Sequence, residues 1–143
     1  LKGGSKITLI VAPAFIINYP GEYKRVLGYL KSLGLNHIYS VSFGADITTW
    51  AYLEYLTRTG EKGMIAQPCP AVVNYMKKYQ SDCLNKLMPV QSPMMCTAIY
   101  LKKYLWLNDK IAFLSPFIGK KSEIDDMDND HYIEYNVTFI KLM

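Results

Sequence analysis

Arginine is nearly missing from this chain: of 16 basic residues only Arg25 and Arg58 are arginine, and the lysines are scattered. Surfaces that read nucleic-acid bases lean on arginine forks, so the net charge of +4 reads as solubility, and nucleic acid is not an expected partner. Histidine is as scarce. His37 and His131 lie in different segments, and neither has a helical i, i+4 partner with which to share a metal. The three cysteines, Cys69, Cys83 and Cys96, are too few and too unevenly placed for a disulfide framework. None forms a CxxC pair, so local spacing encodes no zinc or iron–sulfur site. A core of this size needs no staples, and a reducing cytoplasm is the simplest setting. The longest apolar run, Ile7 to Ile17, is broken by Thr8 and Pro13 and falls short of the ~20 residues a bilayer requires. It also lacks the basic region and small-residue cleavage site of a signal peptide.

What is present is apolar. Half of the 143 residues are hydrophobic and a fifth are charged, enough to bury a core and to exclude disorder. No linker, repeat or low-complexity stretch divides the chain, so residues 1–143 are expected to form a single domain. The first residue is Leu1 rather than Met, which reads as a fragment excised from a longer multidomain chain.

Strand and helix patterns alternate along it. Ile7 to Ala12 is the apolar run of a strand buried on both faces. Pro20-Gly21-Glu22 opens a helix whose inner face carries Tyr23, Val26, Leu27, Tyr29, Leu30 and Leu33, and Gly34 stops it. His37 to Phe43 reads as a second strand. Gly44-Ala45-Asp46 then begins a longer helix, with Asp46 as its cap. Met64 to Gln67 is a very short third strand and Pro70 to Tyr79 a helix. Ser92-Pro93 caps another helix, carrying Met94, Met95, Ile99, Leu101 and Leu105. Lys110 to Ser115 is a fourth buried strand, and Glu134 to Ile140 alternates like an edge strand. The pattern predicts an α/β fold: a parallel sheet of about four strands with helices on both faces. Function in such sheets sits at the carboxyl ends of the strands, here the loops after Ala12, Gln67 and Ser115.

Most candidate constellations fail on their own residues. Asp126, Asp128 and Asp130 have calcium-loop spacing, but His131 and Val137 stand where a glycine and a bidentate glutamate are required. Gly119-Lys120-Lys121-Ser122 lacks the upstream glycine of a phosphate loop, and no GxSxG elbow is present. Met64, Met94 and Met95 sit where core packing explains them better than metal ligation. Cys69 stands apart. It is flanked by Pro68 and Pro70 between a strand end and a helix start, where free backbone N–H groups favour a thiolate.

Four motifs occur in order: Phe43-Gly44-Ala45-Asp46, Gln67-Pro68-Cys69-Pro70-Ala71-Val72-Val73-Asn74-Tyr75, Ser92-Pro93-Met94, and Ser115-Pro116-Phe117-Ile118-Gly119-Lys120-Lys121-Ser122-Glu123. With Tyr135 to Phe139, they resemble the first part of the catalytic, H-cluster domain of the iron-only (FeFe) hydrogenases, closest to the sensory or regulatory branch. The resemblance runs over nearly the whole chain. It implies a 4Fe–4S cubane held by four cysteines and bridged to a diiron centre. Cys69 matches the first cysteine ligand, making it the candidate metal residue. Pro68 stands at the preceding, proton-transferring cysteine. Pro116, Lys120 and Glu123 match the second motif, but Phe117 holds its cysteine position. Lys120 and Glu123 are thereby candidate cofactor-binding residues, although from the residues alone an exposed loop pair is an open reading. The motif supplying the last two cysteines would lie beyond Met143.

A cubane needs four thiolate-type ligands, and Cys69 is the one at a matching place. Phe117 is expected to fill the space of a ligand and part of the cluster. The resemblance therefore points to a degenerate hydrogenase-like domain with no catalytic residue and no cofactor expected in this fragment, serving in redox sensing or scaffolding in an anaerobe's cytoplasm. Its partners would be ferredoxin-like or signalling domains of the parent chain, with no membrane contact. An apolar flank of the fragment could also support a homodimer. The rival expectation is a working iron–sulfur hydrogenase or electron-transfer enzyme, with a 4Fe–4S cluster in the full-length protein whose other ligands lie beyond residue 143. A third is a small-molecule site around Cys69 and Lys120.

Overall fold

The computed structural model describes residues 6–126 and 130–142; Asp128 of the acidic loop lies outside them. Four strands form one sheet in the order β2-β1-β3-β4: β1 (Ile7–Val11), β2 (His37–Ser40), β3 (Lys110–Ser115) and β4 (Tyr135–Thr138). Every pairing is parallel, with Leu9 opposite Ile38 and Ala112, and Leu114 opposite Val137. The expected all-parallel α/β architecture is the one observed.

The central strands are buried on both faces because successive side chains point to opposite sides. Ile10, Ile111 and Phe113 face one way, onto Met94, Met95, Ala98 and Leu101 of helix α5 (Pro93–Ile99). Leu9, Val11, Ala112 and Leu114 face the other, toward α1 (Ala14–Asn18), α2 (Tyr23–Ser32) and α7 (Phe139–Leu142). There Phe15 packs its ring 5.1 Å from that of Phe139. Each fully buried Ile or Phe in these layers contributes about 2–3 kcal/mol by its removal from water. Met94 and Met95 are core residues, as expected.

Helix α3 (Ser42–Thr59) lies outside α5, and Gly44 sets their separation. A Cβ on Gly44 would stand 2.0 Å from the Pro93 carbonyl oxygen and 2.1 Å from Thr97 Oγ1. Thr48 Oγ1 donates to the Gly44 carbonyl (2.9 Å) and to that of Gln91 (3.2 Å), fastening the crossing. Gly44 was expected near a helix start with Asp46 as cap. The helix begins at Ser42 instead, and Gly44 lies inside its first turn, where it serves close packing and not initiation.

Other departures have local causes. Met64 to Gln67 makes no sheet strand; only an isolated bridge, Ile65 to Leu87, forms outside the sheet. The place beside β1 goes to the longer apolar run of β3. Tyr29 and Leu33 of α2 are exposed rather than inward, since the buried face is the narrower one through Tyr23, Val26, Leu27 and Leu30. Gly34 (φ 103°) does end α2, in the left-handed region where a side chain is disfavoured. Leu105 is exposed too. A π-helical turn, Tyr100–Tyr104, follows α5, and its wider winding rotates Leu105 off the inner face.

Candidate functional site

Parallel strands place all their carboxyl ends together, and three loops meet there. The first carries Cys69, which has extended backbone (φ −111°, ψ 114°), as a residue before proline must. Pro70 occupies the first turn of α4 (Pro70–Tyr79), where its missing N–H costs nothing. The Cys69 carbonyl accepts from the Val72 and Val73 amides at 3.1 and 3.3 Å. Its thiol is exposed and makes no capping hydrogen bond, so the expected backing from helix N–H groups is not realised as a contact.

Lys120 opens α6 (Lys120–Ile124) directly after β3's loop. Its Nζ donates to the Pro68 carbonyl at 2.7 Å and to Glu123 Oε2 at 2.6 Å. Ser92 Oγ donates to the other carboxylate oxygen, Glu123 Oε1, and accepts from the Met95 amide, capping α5. The Lys120 and Glu123 side chains are only 11% and 14% exposed. The exposed-pair reading is therefore overturned: Lys120 and Glu123 face inward because each finds partners there that replace water. Ser92, read from sequence only as a helix cap, and the Pro68 carbonyl are the members that motif reading missed. The Ser92-Pro93 pair signalled the cap but not its second partner.

Further contacts fix the first loop. The Gln67 amide donates to Tyr52 Oη of α3 at 3.3 Å, and Gln67 Nε2 donates to the Met88 carbonyl. Burial pushes the Tyr52 phenol above its ordinary range, and the Gln67 amide partly offsets it. A cleft of about 230 Å³ with mixed polar and apolar walls opens beside this network, lined by Gln67, Pro70, Val73, Gln91, Ser92 and Glu123 among others.

Phe117 does not fill the site. It is 65% exposed, on a loop held by Asn136 Nδ2, which donates to the Phe117 carbonyl at 3.3 Å, and by the Phe117 amide donating to Ser115 Oγ at 3.2 Å. The structure thus joins Lys120 and Glu123 into one cluster with the carbonyl next to Cys69. Both the Cys69 thiol and the Phe117 ring are left facing outward.

Residues 5–143 match the family described as iron only hydrogenase large subunit, C-terminal domain. The chain belongs to this family. Among solved structures it is similar to HydA(deltaEFG), described in work on stepwise [FeFe]-hydrogenase H-cluster assembly (TM-score 0.82, 23% identity), covering 96% of this chain and 40% of that one. It is also similar to an apo variant of [FeFe]-hydrogenase HydA1 from Chlamydomonas reinhardtii (TM-score 0.80, 24% identity), covering 96% of this chain and 41% of that one. The chain therefore spans about two fifths of these relatives. At such identities the likeness establishes the fold.

The donor set here does not fit the family's iron–sulfur cofactor. Among the described residues Cys69 is the one cysteine in the three loops. Cys83 lies exposed on the short 3-10 helix after α4. Cys96 is half-buried on α5, with its Sγ in hydrogen-bond contact with Thr48 Oγ1 (3.3 Å) and the Gln91 carbonyl (3.4 Å). Burial raises the Cys96 thiol above its usual range, which disfavours the thiolate that ligation requires. Among the described residues no group of three or more His, Cys, Asp or Glu side chains could hold a metal ion. Nor, among them, is any helix long and apolar enough to cross a membrane.

Proposed function

We propose that this chain is a non-catalytic hydrogenase-family domain that serves in redox sensing, signalling or scaffolding within a multidomain iron–sulfur protein of an anaerobe's cytoplasm. The observation that carries the reading is the mismatch at one site. The second-motif Lys120 and Glu123 remain and are drawn inward, while a phenylalanine stands at the motif's cysteine position and a proline at the proton-transferring one. An aromatic ring supplies no anion for iron, and Pro68 has no exchangeable proton to relay. Partners are then other domains of the parent chain, ferredoxin-like or signalling.

The inward Lys120–Glu123 pair favours one alternative, an active enzyme whose remaining ligands come from elsewhere in a longer chain. Hydrogen uptake and hydrogen–deuterium exchange by anaerobically reconstituted protein distinguish the two. The proposal expects neither above a protein-free control; dihydrogen turnover that scales with bound iron would overturn it.

A further inference from the structure

Three helices begin at the carboxyl end of the sheet, and one polar circuit touches the start of each. Pro68 lies just before the cap of α4, Ser92 is the cap of α5, and Lys120 is the first residue of α6. The circuit is nearly saturated. Both Glu123 carboxylate oxygens are occupied, one by Lys120 and one by the Ser92 hydroxyl. Ser92 also accepts from the Met95 amide, and Lys120 spends two of its three N–H donors on protein acceptors.

We propose that Lys120, Glu123, Ser92 and the Pro68 carbonyl form a protein-only tie that cross-links the three apical loops and sets the position of Cys69. In this chain side chains bridge the Cys69 and Lys120 loops, the two that the family resemblance would join through a metal cluster, and they add the Ser92 loop to the link. The inference rests on the non-catalytic reading in one respect, that no cluster spans the loops. It goes beyond that reading in giving Lys120 a positioning role of its own. Removing one partner of a mostly buried ion pair strands the other, whereas removing both does not. The tie therefore carries a signature that a simple packing role lacks.

The test uses the 143-residue chain in chelator-treated buffer. Lys120→Met is expected to lower Tm by about 6–10 °C, and Lys120→Met with Glu123→Leu to recover at least half of that loss. Hydrogen exchange followed by mass spectrometry should rise together at residues 68–72 and 92–95 and stay unchanged in β1 and β3. If Lys120→Met does not fold, Ser92→Ala takes its place. Faster exchange at residues 68–72 as well as at its own helix start supports the tie, and a change confined to residues 92–95 overturns it. Wild-type melting and unchanged exchange at residues 68–72 in Lys120→Met also overturn it, as does a fall in wild-type Tm on chelator treatment. Iron-dependent turnover would defeat the non-catalytic reading and, with it, the premise that no cluster spans the loops, while absence of the coupled exchange in protein without turnover would defeat the tie alone.

Discussion

The sheet carries a polar cluster at each end, and the two are assembled by different means. At the amino end, the buried Asp109 carboxylate accepts from Thr8 Oγ1 and Asn36 Nδ2, both at 2.7 Å. Thr8 lies in β1, and Asn36 and Asp109 immediately precede β2 and β3. Strand register alone brings these three together. At the carboxyl end, Pro68, Ser92, Lys120 and Glu123 come from three separated segments, and nothing in the register places them. The amino-end cluster pairs one charge with neutral donors close in the sheet. The apical cluster pairs two opposite charges across loops and depends on where α4, α5 and α6 begin. The first follows from forming the sheet, whereas the second must be specified in addition, and it occupies the end where α/β folds place function.

Disturbing the helix crossing that carries the apex should have the largest effect. Gly44→Ala puts a methyl against the Pro93 carbonyl and Thr97, and no flexible tip can yield at the carbonyl. A loss of about 3 kcal/mol or more is expected in urea melts, and near-wild-type stability would mean that α3 and α5 do not approach this closely. Next comes Glu123→Gln, which leaves the Lys120 ammonium without its counter-charge at the apex. About 2 kcal/mol should be lost in equilibrium unfolding, against an amino end left intact by exchange protection at Thr8 and Ile111.

Asp109→Ala is expected to cost about 1–2 kcal/mol at pH 7 and to show a pH dependence of definite sign. Burial opposes ionisation of Asp109, but hydrogen bonds from Thr8 and Asn36 together with attraction to the nearby His37 and Lys6 outweigh it and hold the carboxyl below its ordinary range. The stability it contributes is thus present above the unfolded value of about 4. It disappears as pH falls past that value and through the folded one. Wild type and Asp109→Ala should converge in acid, and a gap that widens there would contradict the assignment. The smallest effect belongs to Phe117→Ser. An exposed ring contributes little to folding, so a change within about 0.5 kcal/mol is expected; a large loss would return the ring to a buried place in the site.

The same contrast explains what could be read before the structure. Uninterrupted runs such as Ile7 to Val11 and Lys110 to Ser115 announce strands buried on both faces, and the proline-led starts at Pro70 and Pro93 announce helices, because these signals are local. Met64 to Gln67 looked similar but found no place in the sheet, since strand choice is a competition among segments that periodicity does not rank. At the site, the ordered motifs drew attention to Cys69, Lys120 and Glu123. They did not reveal whether the lysine and glutamate face inward. That depends on the Pro68 carbonyl and the Ser92 hydroxyl, two partners with no charge of their own and no spacing rule to announce them.

Counting iron and acid-labile sulfide per chain, after anaerobic reconstitution and desalting, tests the account most directly. With Cys69 the lone thiolate donor among loops that side chains already bridge, the protein should emerge without a stoichiometric cluster and without absorbance near 400 nm. Four irons and four sulfides per chain, lost on Cys69→Ser, would contradict it.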